Sequence, residues 1–166
     1  MLTRRIAEIE KCKLGYHSLF KQKKMKKFLS VLKIAALILW QLPQILVALV
    51  MIPFLGKMTY IKKINDAWVF SCKNMRGAIS LGCFIFLSEI SAKKEATIQH
   101  EAGHVKQSHM LGWLYLFVIG IPSICWAAFG SSDKCYYSFY TERWANKLGG
   151  VKVAYTPSGK CFTYLP

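Results

Sequence analysis

Acidic residues are scarce: eight Asp and Glu stand against 23 Lys and Arg, so the 166-residue chain carries a formal charge of +15. The surface is therefore strongly cationic, and the length leaves room for one modest domain rather than a two-domain enzyme. Polar character is scarce as well. With 54% hydrophobic residues, 14% aromatic residues and a mean hydropathy of +0.27, the chain is far too apolar for a disordered cationic tail that wraps nucleic acid. Patterned cysteine is missing: Cys12, Cys72, Cys83, Cys125, Cys135 and Cys161 are scattered with no C-x-x-C, which excludes a zinc ribbon and indicates no disulfide framework. Free thiols are expected, in a reducing compartment. The first residues make a poor signal peptide, because the basic stretch is long and no A-x-A site follows the apolar run, so no cleavage is expected.

Charge itself is missing from two stretches. Residues 1–33 hold ten Lys/Arg and two acids, 34–56 hold none, 57–109 hold eight and four, 110–132 hold none, and 133–166 hold five and two. About 20 apolar residues suffice to cross a bilayer as a helix, so both uncharged stretches point to lipid. The first apolar segment, 29–56, is interrupted by Trp40-Gln41-Leu42-Pro43-Gln44, where a proline removes a backbone donor. It reads as a re-entrant hairpin or a span, and basic residues on both flanks favour the hairpin. The second, 110–132, carries Gly120, Pro122 and Ser123 near its middle. A hairpin bent there would dip into one leaflet and return. The basic N-terminal segment, 1–28, suggests a weakly amphipathic helix on an anionic lipid surface. It lacks the aromatic interleaving of a base-stacking platform, which argues against nucleic acid.

Chemistry is concentrated at His100-Glu101-Ala102-Gly103-His104, a complete H-E-x-x-H in a helix-permissive stretch from Ala92 to Leu111, apart from Gly103. On a helix, residues i and i+4 share a face, so both imidazoles can bind one metal ion with the glutamate beside a bound water. Zinc then needs a third protein ligand. His17 and His109 read as structural histidines. Upstream, Gly77 to Ser88 reads as an apolar strand before that helix, and residues 66–71 can supply a partner strand.

Downstream lies Glu142-Arg143-Trp144-Ala145-Asn146, which looks like the E-x-x-A-D helix of the gluzincin metallopeptidases. Over residues 66–149 the chain resembles small gluzincins and membrane-associated peptidases of that kind. The resemblance implies one zinc ion per chain on His100, His104 and Glu142, with Glu101 as general base acting on a zinc-bound water. It also implies an edge strand that pairs with extended substrate. Asn146 departs from the usual aspartate. As a neutral partner it can still accept a hydrogen bond from a ligand imidazole, without the charge. His109, Tyr136, Tyr137 and Tyr140 are candidate donors to an oxyanion.

The expected architecture is α+β and mostly helical. A small sheet precedes the H-E-x-x-H helix, a third-ligand helix follows, and the apolar segments form helical hairpins or membrane helices. The expected domain, 57–166, is a gluzincin-like metallopeptidase with a membrane-dipping insertion at 110–132. The expected function is hydrolysis of a peptide or membrane-proximal protein at the cell membrane, on the cytoplasmic face by the basic flanks. Two alternatives stand beside it: a non-catalytic zinc-binding membrane or adaptor protein, and a cationic membrane- or nucleic-acid-binding module.

Overall fold

The computed structural model describes residues 22–130, 135–156 and 160–166. The expected surface helix within 1–28 therefore falls largely outside the described residues. The chain is α+β, with helices predominating and a small sheet. Helix α1, 22–40, carries Lys23, Lys24, Lys26, Lys27 and Lys33 and exposes Phe28, Leu29, Leu32, Ile34 and Leu39. A compact body runs from Trp40 to Pro166.

That body opens with α2 (Leu42–Met51), whose Pro43 sits in the first turn, where a missing N–H costs nothing. Four strands follow: β1 (Met58–Ile64), β2 (Ala67–Cys72), β3 (Ala78–Leu81) and β4 (Phe84–Ser88), in the order β1-β2-β4-β3. β2 and β4 are parallel, and the other two pairings are antiparallel. The stretch expected to be one strand is thus a hairpin. Gly82 breaks it, at a φ of +61° that side-chain-bearing residues avoid. Residues 67–72 do supply the partner, but to β4.

β4 is buried on both faces, which explains its unbroken apolar run. Ile85 and Leu87 join Val69, Ile98 and Val105 on one side of the sheet, and Phe86 joins Ala48, Leu55 and Leu81 on the other. The second face carries an aromatic ladder in register: Trp68 opposite Phe84, Phe70 opposite Phe86, and Tyr60 opposite Phe70. Such cross-strand pairs fix the register of a twisted sheet. β3 lies at the edge, with one side unpaired by any described strand.

Helix α3 (Glu95–Leu111) covers the first face, and α5 (Tyr140–Gly149) crosses it. The crossing is close because α3 has glycine at its centre. A Cβ on Gly103 would stand 2.0 Å from the Ala145 carbonyl oxygen, and one on Gly149 would stand 2.2 Å from that of Gln99. Gly103, the weak point of the helix by propensity, is the residue that admits α5. Strands β5 (Lys152–Tyr155) and β6 (Cys161–Tyr164) close the fold as an antiparallel pair.

Between α3 and α5 the chain runs through a tight turn at Gly112–Leu114 and a helical segment, 116–130, whose middle is α4 (Ile121–Cys125). The axis bends by 120° between Leu114 and Leu116. The bend expected at Gly120–Ser123 is therefore displaced toward α3, where Gly112 takes a positive φ, and the helical segment continues through Pro122, the turn before it, Leu116–Gly120, being a π-helix whose Val118 carbonyl accepts from the Tyr140 hydroxyl. Among the described residues no single helix is long and apolar enough to cross a membrane.

Polar residues inside the apolar stretches pin them to α3. Trp40 Nε1 donates to the His109 carbonyl at 3.0 Å, the Ser108 hydroxyl donates to Gln41 Oε1 at 3.1 Å, and the Gln44 amide donates to the Gly112 carbonyl. One cysteine expectation is overturned: Cys135 and Cys161 are bonded, their Cα atoms 5.6 Å apart, tying the chain before α5 to β6. Cys72, Cys83 and Cys125 are free thiols.

Candidate metal centre

α3 presents His100 and His104 on one face, one turn apart, and α5 brings Glu142 against them. All three are buried, and their candidate ligand atoms lie within 4.8 Å of one another. Glu142 Oε2 stands 3.0 Å from His100 Nε2 and 3.4 Å from His104 Nε2. Ligands of a tetrahedral zinc, each about 2.1 Å from the ion, lie about 3.4 Å from one another. The two glutamate-to-imidazole spacings suit one ion.

The remaining polar atoms of these side chains are already engaged. His100 Nδ1 donates to Asn146 Oδ1 at 2.7 Å, and His104 Nδ1 donates to Gln107 Oε1 at 2.7 Å. Each ring thus turns Nε2 toward Glu142, with its orientation fixed by an amide oxygen. Gln107 is itself held, since its Nε2 donates to the Thr141 carbonyl at 2.9 Å. Glu142 Oε1 accepts from the Ser123 hydroxyl and, at 3.1 Å, from that of Thr141. One carboxylate oxygen is occupied and the other faces the imidazoles.

Charge follows the geometry. Burial pushes the Glu142 carboxyl up, but the hydrogen bonds and charges of His100 and His104 outweigh it and hold the group well below the usual carboxylate range. Burial pushes His104 down, and Glu142, Glu101 and Gln107 together carry it above the ordinary histidine value. A carboxylate against two imidazoles in a buried pocket is a donor set suited to a divalent metal.

Glu101 is buried beside this group, and Ser80 of β3 places its hydroxyl 2.7 Å from Glu101 Oε2 and 2.9 Å from the Glu101 carbonyl oxygen. A cavity of about 440 Å³ opens there, lined by Glu101, His104 and Glu142 together with all four residues of β3. The rest of its wall is mostly apolar, with Val47 and Met51 from α2 and Leu116, Ile121 and Ile124 from the 116–130 segment.

The four oxyanion candidates separate. Tyr136 lines the cavity and its hydroxyl hydrogen-bonds Glu142; burial, the charges of Glu142 and Glu101 and that hydrogen bond raise its pKa, so it stays protonated at neutral pH. Tyr137 packs edge-on against the His100 ring at 5.4 Å, and Tyr140 donates to the Val118 carbonyl at 2.6 Å. His109 lies outside the cavity lining. Sequence reasoning missed Ser80, Gln107 and Ser123. Gln107 had a readable signal, standing one turn beyond His104, whereas the two serines look like ordinary polar interruptions of apolar runs.

No protein-family model matches the chain, and no curated protein or solved structure does either.

Proposed function

We propose that the protein is a membrane-associated zinc metallopeptidase of gluzincin type. The observation that carries this reading is the division of labour at Glu142. Oε2 faces both imidazole Nε2 atoms, while Oε1 and both Nδ1 atoms are engaged elsewhere. His100, His104 and Glu142 would hold the zinc, which when bound polarises a carbonyl and acidifies water.

The chain's own residues supply the rest. The free edge of β3 offers backbone groups to an extended peptide, and the scissile bond then passes Glu101. Glu101 takes a proton from the attacking water and delivers it to the leaving amine. The Ser80 hydroxyl holds that carboxylate toward the cavity, and Tyr136 supplies the additional donor to the developing oxyanion. The apolar wall favours a peptide from a membrane-proximal or otherwise hydrophobic protein, since a charged side chain would shed its hydration there without a partner.

Membrane association is supported by the uncharged stretches and by the large apolar side chains that α1 and the 116–130 segment expose, among them Leu39, Phe117 and Phe129. A net charge of +15 suits an anionic lipid surface. The test is direct. Purified chain is expected to hold about one zinc per molecule by elemental analysis, and Glu101→Gln is expected to keep the metal and lose peptide hydrolysis. Metal-free protein from zinc-replete buffer, or unchanged turnover in Glu101→Gln, would overturn the reading.

The structural-zinc alternative keeps one observation in its favour. Asn146 stands where a charged partner would strengthen the His100 imidazole, and its Nδ2 is buried without a hydrogen-bond partner among the described residues. Peptide turnover by the zinc-loaded wild-type chain separates the two readings.

A further inference from the structure

The third candidate ligand is held from an unexpected place. Ser123 belongs to α4, in the middle of the uncharged 116–130 segment, yet its hydroxyl donates to Glu142 Oε1 and lies 2.8 Å from Thr141 Oγ1. The same segment exposes Phe117, Ile121, Ile124 and Phe129, the last at 87%. The segment is tied further to the α5 region by the Trp126 ring stacked on Phe139 at 4.8 Å, by Trp126 Nε1 to the Tyr136 carbonyl at 3.0 Å, and by the Tyr140 hydroxyl to the Val118 carbonyl.

A carboxylate offered to a metal can bind through one oxygen or through both. Here one hydroxyl from α5 itself and one from the apolar segment occupy Oε1, Tyr136 adds a hydrogen bond to the same carboxylate, and Oε2 faces the imidazoles. The segment that supplies the second hydroxyl has no charge and little apolar cover on its outer side. A lipid surface is the partner whose chemistry fits: it buries exposed phenylalanine and isoleucine and demands no countercharge from the segment. In a chain of this net charge, an anionic surface fits best.

We propose that Ser123 is a positioning residue through which lipid contact of the 116–130 segment sets the geometry and affinity of the metal centre. Seating Phe117 and Phe129 in a bilayer holds α4 in place and α4 holds Oε1, so that Oε2 is the atom Glu142 would offer to a metal. The proposal rests on the His100–His104–Glu142 group being a metal site. It does not require the site to be a peptidase.

The experiment uses the full chain in nanodiscs of phosphatidylcholine and phosphatidylglycerol, with zinc affinity read by chelator competition and ligand geometry by the visible spectrum of the cobalt-substituted protein. Ser123→Ala is expected to weaken zinc binding about tenfold or more and to change the cobalt spectrum, with both restored in Ser123→Thr. A Phe117→Gln/Phe129→Gln variant keeps the hydroxyl and removes the lipid contact. It is expected to weaken zinc several-fold, and adding Ser123→Ala to it is expected to weaken zinc no further than Ser123→Ala alone. Wild-type affinity and spectrum in Ser123→Ala would overturn the positioning role, and additive losses would overturn the lipid link. Zinc failing to bind the wild-type chain would instead remove the metal site on which the proposal stands.

Discussion

At the scale of single residues, the candidate site is defined less by its candidate ligand atoms than by what occupies the other polar atoms of those side chains. Asn146 is the informative case. Its Oδ1 accepts from His100, but its Nδ2 is stranded in the interior, a situation that costs about 1–3 kcal/mol. Asn146→Asp removes the stranded donor and gives the imidazole a charged acceptor. Zinc affinity is expected to rise about tenfold, whereas Asn146→Ala should lower it about 10–100-fold, both by chelator competition. The pH response gives an independent check. In metal-free protein the raised His104 pKa contributes stability below the ordinary histidine range, and that stability is lost as pH rises through the folded-state value. Zinc needs the deprotonated ring, so its contribution grows over the same window. Denaturation midpoints with and without zinc should therefore move in opposite directions as pH rises; parallel movement would mean that zinc does not bind His104.

At the scale of elements, everything depends on how closely α3 and α5 approach. Gly103→Ala would improve helix propensity by about 1 kcal/mol in isolation, yet it drives a methyl into the Ala145 carbonyl at 2.0 Å. The variant is expected to lose zinc and to be destabilised by at least about 1–3 kcal/mol in thermal melts. A stable, zinc-replete Gly103→Ala protein would show that the helices do not cross as described. This crossing also shows what was readable beforehand. Two histidines at helical spacing announce a metal pair from residue types alone, whereas Glu142 as a candidate third ligand comes from the resemblance of Glu142-Arg143-Trp144-Ala145-Asn146 to the gluzincin glutamate helix. The hairpin break at Gly82 was masked by flanking apolar residues, which the doubly buried β4 requires on its own account. The bend falls at Gly112–Tyr115 rather than at Pro122, because the helical segment carries on through the proline with the preceding turn widened to a π-helix. Ser80 and Ser123 were illegible for a different reason: their partners lie 21 and 19 residues away, and no local pattern encodes that.

At the scale of the whole molecule, two features bear on the compartment and point in opposite directions. Basic flanks around the first apolar segment predict the cytoplasmic face and reduced thiols, whereas the Cys135–Cys161 bond predicts an oxidising compartment. The bond is expected to survive in acid-quenched cells, read as the absence of a maleimide mass shift at those two cysteines; two reactive thiols there would support the cytoplasmic face instead. Length and composition alone indicated lipid, and the structure locates the polar exceptions. Trp40, Gln41 and Gln44 look like flaws in a span, and each makes a hydrogen bond to the C-terminal end of α3 or to Gly112.

Those three side chains carry an implication for biogenesis. Until residues 108–112 emerge from the ribosome, the amides of Gln41 and Gln44 lack their native partners, so the nascent first segment is a poor candidate for stable insertion. Its final seating waits for α3, which couples the docking of the first segment to the assembly of the His100–His104–Glu142 group. Leucine at both glutamine positions is expected to uncouple the first segment from α3, so that the segment settles before residues 108–112 are made.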